Sequence, residues 1–186
     1  MDLISHHYDF SNYPEKARLA LGYKGLAWRS VRIPPTAPKP DLTPLTGGYR
    51  RTPVLQVGAD IYCYTALILR ELERGFPTPV FYLAAHMAEA NMIAYWAENQ
   101  FFRPMSIYVS CSNLDVLPKN LQADCSQMRG LAIPTDETAR RAAKRNAPAV
   151  RVQIRWIEDL LSDRRDWIAG PAVTAAELAV YHSLWS

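Results

Sequence analysis

The pattern of apolar and polar positions changes character near residue 78. Before it, short apolar runs alternate with segments of helical spacing; beyond it, only helical spacing recurs. Leu3 to His7 reads as a strand, Ser11 and Asn12 are residue types that cap helices, and Pro14 stands where a first helical turn tolerates proline. Ala17, Ala20 and Leu21 fall on one face of the helix that follows. Gly22 to Gly25 then breaks it ahead of a second β-rich run, Trp28 to Ile33. This order predicts a βαβ unit. From Pro34 to Pro44 five prolines occupy eleven positions, too many for a helix interior or a central strand, so the segment is expected to be an extended surface connection prolonged by Gly47 and Gly48. Pro53 to Val57, a turn at Gly58 and Ala59, and Ile61 to Cys63 predict a hairpin. Thr65 then opens a helix that turns Ile68, Leu69, Leu72 and Phe76 inward.

Gly75, Pro77 and Pro79 punctuate the chain after this ββα unit. The expected division is therefore residues 1–78 as one domain, 79–85 as a linker and 86–186 as an all-helical domain. His86 to Phe102 and Thr135 to Ser162 form two long amphipathic segments, the second carrying Val150, Ile154, Ile157 and Leu161 at helical spacing with a kink expected at Pro148. The stretch between them is expected to be irregular. Thr174-Ala175-Ala176-Glu177 matches a capping box, followed by Leu178, Tyr181, His182 and Trp185. A helix this rich in aromatic residues needs further chain to cover it, which leads us to expect a helical domain incomplete at Ser186.

Composition narrows the functional classes. A chain of 186 residues, 49% hydrophobic and 21% charged, has enough apolar matter to bury about 70% of its surface without metals or disulfides. Twenty-one Lys and Arg against eighteen Asp and Glu leave a net charge of +3, short of a nucleic-acid binder's footprint. Arg140, Arg141, Lys144 and Arg145 accordingly read as a solvated helix face, and no nucleic-acid partner is expected. Cys63, Cys111 and Cys125 make an odd count without metal-ligand spacing, His6 and His7 point to opposite sides of a strand, and His86 with Glu89 lacks a third ligand. No metal is expected. The N-terminus has neither a basic leader nor a span-length apolar run, so a soluble cytoplasmic protein with no membrane partner is the expectation.

Three stretches carry candidate chemistry. Ser11-Asn12-Tyr13-Pro14-Glu15-Lys16-Ala17-Arg18-Leu19 places a hydroxyl at a helix N-terminus, where unpaired amides favour an anion such as a thiolate. Arg50-Arg51-Thr52-Pro53-Val54-Leu55 starts a strand with a proline that, in the cis form, exposes the preceding backbone to a ligand. Tyr62-Cys63-Tyr64-Thr65-Ala66-Leu67 passes from a strand into a helix through a hydroxyl residue, a second place for a carboxylate.

Together and in this order, the three stretches resemble the N-terminal domain of the cytosolic glutathione transferase family, and the helical segment resembles that family's second domain. The resemblance spans nearly the whole chain. It implies an α/β thioredoxin-like N-terminal domain (βαβ-ββα) followed by an all-α C-terminal domain, with glutathione as co-substrate and no metal. It further implies that Ser11 is the catalytic hydroxyl that steadies the glutathione sulfur. Arg51, Thr52 and Pro53 then meet the cysteinyl part and the glycine carboxylate, and Thr65 meets the γ-glutamyl carboxylate. Tyr64 lies in that same segment but departs from the acidic or amide residue usual there, and a phenol offers an ammonium group no charge-assisted acceptor. Tyr95, Trp96 and Phe102 fall where the family builds an apolar acceptor site. The implied activity is attack of the activated thiol on a small electrophile, or glutathione-dependent isomerisation, in a homodimer. The rival reading is a non-catalytic interaction module with weak or no glutathione affinity. A thiol-disulfide oxidoreductase is disfavoured, because Ser11 cannot form the mixed disulfide that exchange requires.

Overall fold

The computed structural model describes residues 2–185. Its first half is a four-stranded mixed sheet of order β2-β1-β3-β4. Strands β1 (Leu3–His7) and β2 (Arg29–Arg32) are parallel and joined through helix α1 (Asn12–Tyr23); β3 (Val54–Val57) runs antiparallel to β1 and forms a hairpin with β4 (Asp60–Cys63), ahead of helix α2 (Thr65–Gly75). The register sets His6 opposite Val54 and Val54 opposite Cys63. The C-terminal ends of β1 and β4 and the start of β3 therefore share one end of the sheet.

Helices α1 and α2 pack on one another, and their inward residues Ala17, Ala20, Leu21, Ile68, Leu69 and Leu72 join Leu3, Leu55 and Val57 in a single core. Phe76 is packed against that core but only partly buried. A smaller cluster of Ile33, Leu42 and Val54 lies on the other side of the sheet, where the proline-rich connection folds back. Strand β2 is solvent-exposed along its length, as an edge strand with a partner on one side can be.

The second half is helical. After a single 3₁₀ turn at Ala84–His86 come α3 (Met87–Trp96), a π-helical turn (Ala97–Phe101), α4 (Phe102–Ser112), α5 (Lys119–Met128), α6 (Asp136–Leu160) and α7 (Ala175–Leu184). One expectation is corrected here. The stretch before Thr135 is largely helical, because α4 runs on to Ser112 and α5 follows; the buried positions of α5 include Gln122, Asp124 and Ser126, which hydrophobic spacing does not reveal. Helix α6 runs as one 25-residue helix with Pro148 inside it. The capping box forms as expected: Thr174 Oγ1 accepts from the Ala176 amide at 3.1 Å and the Glu177 carboxylate accepts from the Thr174 amide at 2.6 Å. Its other oxygen accepts from the Ala169 amide at 2.8 Å, fixing the loop that enters α7. The expectation about Ser186 lies outside the described residues.

The halves are joined along α1. Lys24, near its C-terminal end, has a fully buried ammonium group that donates to Glu73 (2.8 Å) and to the carbonyls of Phe76 and Pro79 (both 2.6 Å). Glu73 also accepts from the amides of Phe81 (3.0 Å) and Tyr82 (3.3 Å), so one ion pair secures the linker. At the other end, Lys16 is 2% exposed and paired with Glu98 of the π-helical turn. Farther out, Asp124 of α5 accepts from Arg50 and from the Ala37 amide (3.1 Å), holding the proline-rich connection against the helical half.

Candidate functional site

The sheet register brings the three sequence-selected stretches to one place. The loop Tyr8–Ser11 leaves the C-terminal end of β1, Thr52–Pro53 enters β3 beside it, and Tyr64–Thr65 follows β4 at the same end. Helices α1 and α2 both begin there with their unpaired amides. Ser11 has extended backbone geometry, and its carbonyl accepts from the Glu15 amide at 3.1 Å. Its hydroxyl makes no bond to the helix it precedes and is within hydrogen-bonding reach of the Tyr8 phenol. Burial, the largest influence on that phenol, pushes its pKa up.

The Thr52–Pro53 peptide is cis, and Thr52 Oγ1 donates to the His6 carbonyl at 3.3 Å, tying this segment to β1. Thr65 is buried as the first residue of α2, and no side chain caps that helix. Tyr64 before it has φ of 69°, a left-handed conformation that a bulky residue seldom adopts. Its ring is 59% exposed and lies 5.2 Å from that of Tyr49. Burial, followed by the neighbouring Tyr64, pushes the Tyr49 phenol up to about 12. Arg51 is exposed, and its charge acts on the phenols of both Tyr13 and Tyr49.

The helical half packs against the start of α1. Tyr13, in the first turn of α1, has its ring 4.8 Å from Phe102 and 4.8 Å from His182, and those two rings stack at 5.3 Å. Burial pushes the Tyr13 phenol up to about 12, so it stays protonated and remains a donor. His182 is wholly buried, with neither ring nitrogen in a well-formed hydrogen bond; burial, helped by the Lys16 charge, lowers its pKa to about 3. Of the acceptor-site residues picked out from the sequence, Phe102 therefore lies beside α1. Trp96 instead stacks on Phe101 at 5.4 Å and approaches Trp156 at 6.2 Å within the helical core, and Tyr95 is 69% exposed. Tyr13, Tyr49, Lys16, Glu98 and His182 went unnoticed as a group. Only Tyr13 carried a signal, its place two residues after Ser11.

Among the described residues no cluster of three or more His, Cys, Asp or Glu could hold a metal, and no helix is long and apolar enough to cross a membrane. His6 bonds Gln56 at 3.2 Å, and His86 with Glu89 forms an exposed contact of 3.4 Å.

Residues 6–80 match the family model described as "Glutathione S-transferase, N-terminal domain". A GST-like protein from Pseudomonas syringae is 38% identical over 99% of this chain, with a TM-score of 0.72. Residues 6–80 belong to the glutathione transferase family, and the chain as a whole shares its fold. It spans 57% of the length of that P. syringae protein. A glutathione S-transferase from Rhodospirillum rubrum F11 (24% identity, TM-score 0.76, 98% of this chain and 76% of that one) and FzlA from C. crescentus (23%, 0.76, 99% and 77%) share the fold. No curated protein matches the sequence. The thioredoxin-like N-terminal domain and helical C-terminal domain expected from the sequence are therefore those of this transferase family.

Proposed function

We propose that this chain is a glutathione transferase-like enzyme in which Ser11 donates a hydrogen bond to the glutathione thiolate. The observation that carries the reading is a hydroxyl at the β1–α1 turn that the helix does not use, at the sheet end where two helices begin and a cis-proline segment enters. Orphan amides and a fixed donor stabilise negative charge on sulfur, and each unit of thiol pKa lowered corresponds to about 1.4 kcal/mol. The sulfur lone pair then forms the new S–C bond on a small, apolar electrophile, whose leaving group departs with the displaced electron pair; in an isomerisation the thiol adds and leaves again. Arg51, Thr52, Pro53, Tyr64 and Thr65 bind glutathione in this reading. Phe102 faces the electrophile, with Tyr95 and Trp96 as its outer candidates. The same reading keeps the division at 1–78, 79–85 and 86–186 and a cytoplasmic homodimer.

A second reading, a non-catalytic module, is favoured by Tyr64, where an exposed phenol stands in place of an acceptor for the glutathione amine. Calorimetry with glutathione separates the two. Heat of binding at millimolar ligand, corresponding to at least about −4 kcal/mol, is expected for the enzyme; folded protein with no heat favours the module.

A further inference from the structure

Arg18 of α1 anchors the loop that presents Ser11, alongside an exposed Arg32–Asp9 ion pair at 3.1 Å. Arg18 reaches back from the second turn of the helix, donating through Nη2 to the Asp9 carbonyl (3.0 Å), through Nε to Glu15 (2.9 Å) and through Nη1 to His7 Nδ1 (3.0 Å). A guanidinium has no acceptor, so the last contact fixes the His7 tautomer: Nδ1 accepts, and the proton sits on Nε2, which donates to Ser30 Oγ at 2.8 Å. The Trp28 ring meets the imidazole edge-on at 5.6 Å. One planar fork thus joins the last residue of β1, the loop carbonyl two residues before Ser11, and the first turn of α1.

We propose that Arg18, acting through His7 and the Asp9 carbonyl, is a positioning residue that holds the Ser11 loop in register with the start of α1, and that protonation of His7 releases it. Protonated His7 has no lone pair at Nδ1 and turns a positive N–H toward the guanidinium. The charged groups facing His7 are Arg18 from α1, Asp9 from the loop and Arg32 from β2. Burial is the strongest influence holding the His7 pKa below 6.5, Arg18 the next, with Arg32 in the same direction and Asp9 opposing. The loop is therefore held at neutral pH and let go as pH falls below 6.5.

The consequence for catalysis rests on Ser11 acting as proposed above, so the test includes readouts that do not need activity. Arg18→Lys keeps a positive charge but not the three-pronged fork. It is expected to speed amide exchange in a peptide covering residues 8–11 at least tenfold while leaving the exchange of α6 unchanged. By NMR titration, Arg18→Ala is expected to move the His7 pKa upward, toward 6.5, whereas Arg18→Lys leaves it low. If glutathione conjugation is present, Arg18→Lys lowers kcat roughly tenfold with glutathione KM within about twofold, as expected when a reacting group is misplaced and not lost. Wild-type exchange at residues 8–11 in Arg18→Lys, or an unmoved His7 titration in Arg18→Ala, overturns the proposal. Absence of conjugation in the wild-type protein, with both physical effects present, overturns the assignment of Ser11 and leaves this one standing.

Discussion

Helix α1 carries a buried lysine toward each end, and the two are housed differently. Lys24 has three oxygen partners, one carboxylate and two carbonyls, and lies 4.4 Å over the Phe81 ring. Lys16 has Glu98 as its acceptor, with the neutral His182 near by, and burial pulls its pKa down against the pull of that carboxylate. Three donors suit Lys24's three acceptors, which run from α2 through Phe76 to the first residue of the linker, so this end behaves as a fixed joint. At the Lys16 end the domains meet through one ion pair and a wedge of Tyr13, His182 and Phe102 directly behind the site. Loss of one group there leaves a buried charge without compensation.

The comparison breaks first at Glu98. Glu98→Ala is expected to destabilise the protein by about 3–5 kcal/mol, the range for leaving a buried charge unpaired, measurable by urea unfolding. Equal or smaller loss than at the Lys24 end would show that the two joints do not differ. His182 gives the next effect. With a folded pKa of about 3 against 6.5 when unfolded, the unfolded chain binds the extra proton, so stability present above pH 6.5 drains as pH falls from 6.5 toward 3. His182→Phe keeps a ring between Tyr13 and Phe102, and it is expected to flatten the acid limb of a curve of unfolding free energy against pH by roughly 2–4 kcal/mol at pH 4. A limb of unchanged slope would assign acid sensitivity elsewhere. The smallest effect is expected at the fixed joint, where Glu73→Gln retains an acceptor and loses charge: about 1–2 kcal/mol by the same unfolding measurement.

These joints also mark what sequence reading misses. The apolar face of α1, the hairpin of β3 and β4, and the Thr174 capping box are local patterns of spacing and residue type, and each was legible. Lys16 and Lys24 look like ordinary solvated positions of a helix, since their partners lie 82 and 49 residues away. Helix α5 hides for the same reason: its buried Asp124 is matched by Arg50 and Ala37 in the other half of the chain. The stretches around Ser11, Pro53 and Thr65 were readable because a helix start, a proline and a strand end each leave a local mark. Their convergence was implied only by the resemblance to the transferase family, because it depends on the register of His6, Val54 and Cys63. Phe102 and Trp96 share apolar character, and only the packing of α4 against α7 and α6 separates the one beside α1 from the one in the helical core.

The most direct test of the central claim is the rate at which purified wild-type protein and Ser11→Ala conjugate glutathione to a chromogenic electrophile at saturating glutathione. The account predicts a measurable wild-type rate that falls by roughly 100-fold in Ser11→Ala, as for loss of one donor to a developing or resident anion, with glutathione still bound in calorimetry. Equal rates in the two proteins would contradict it.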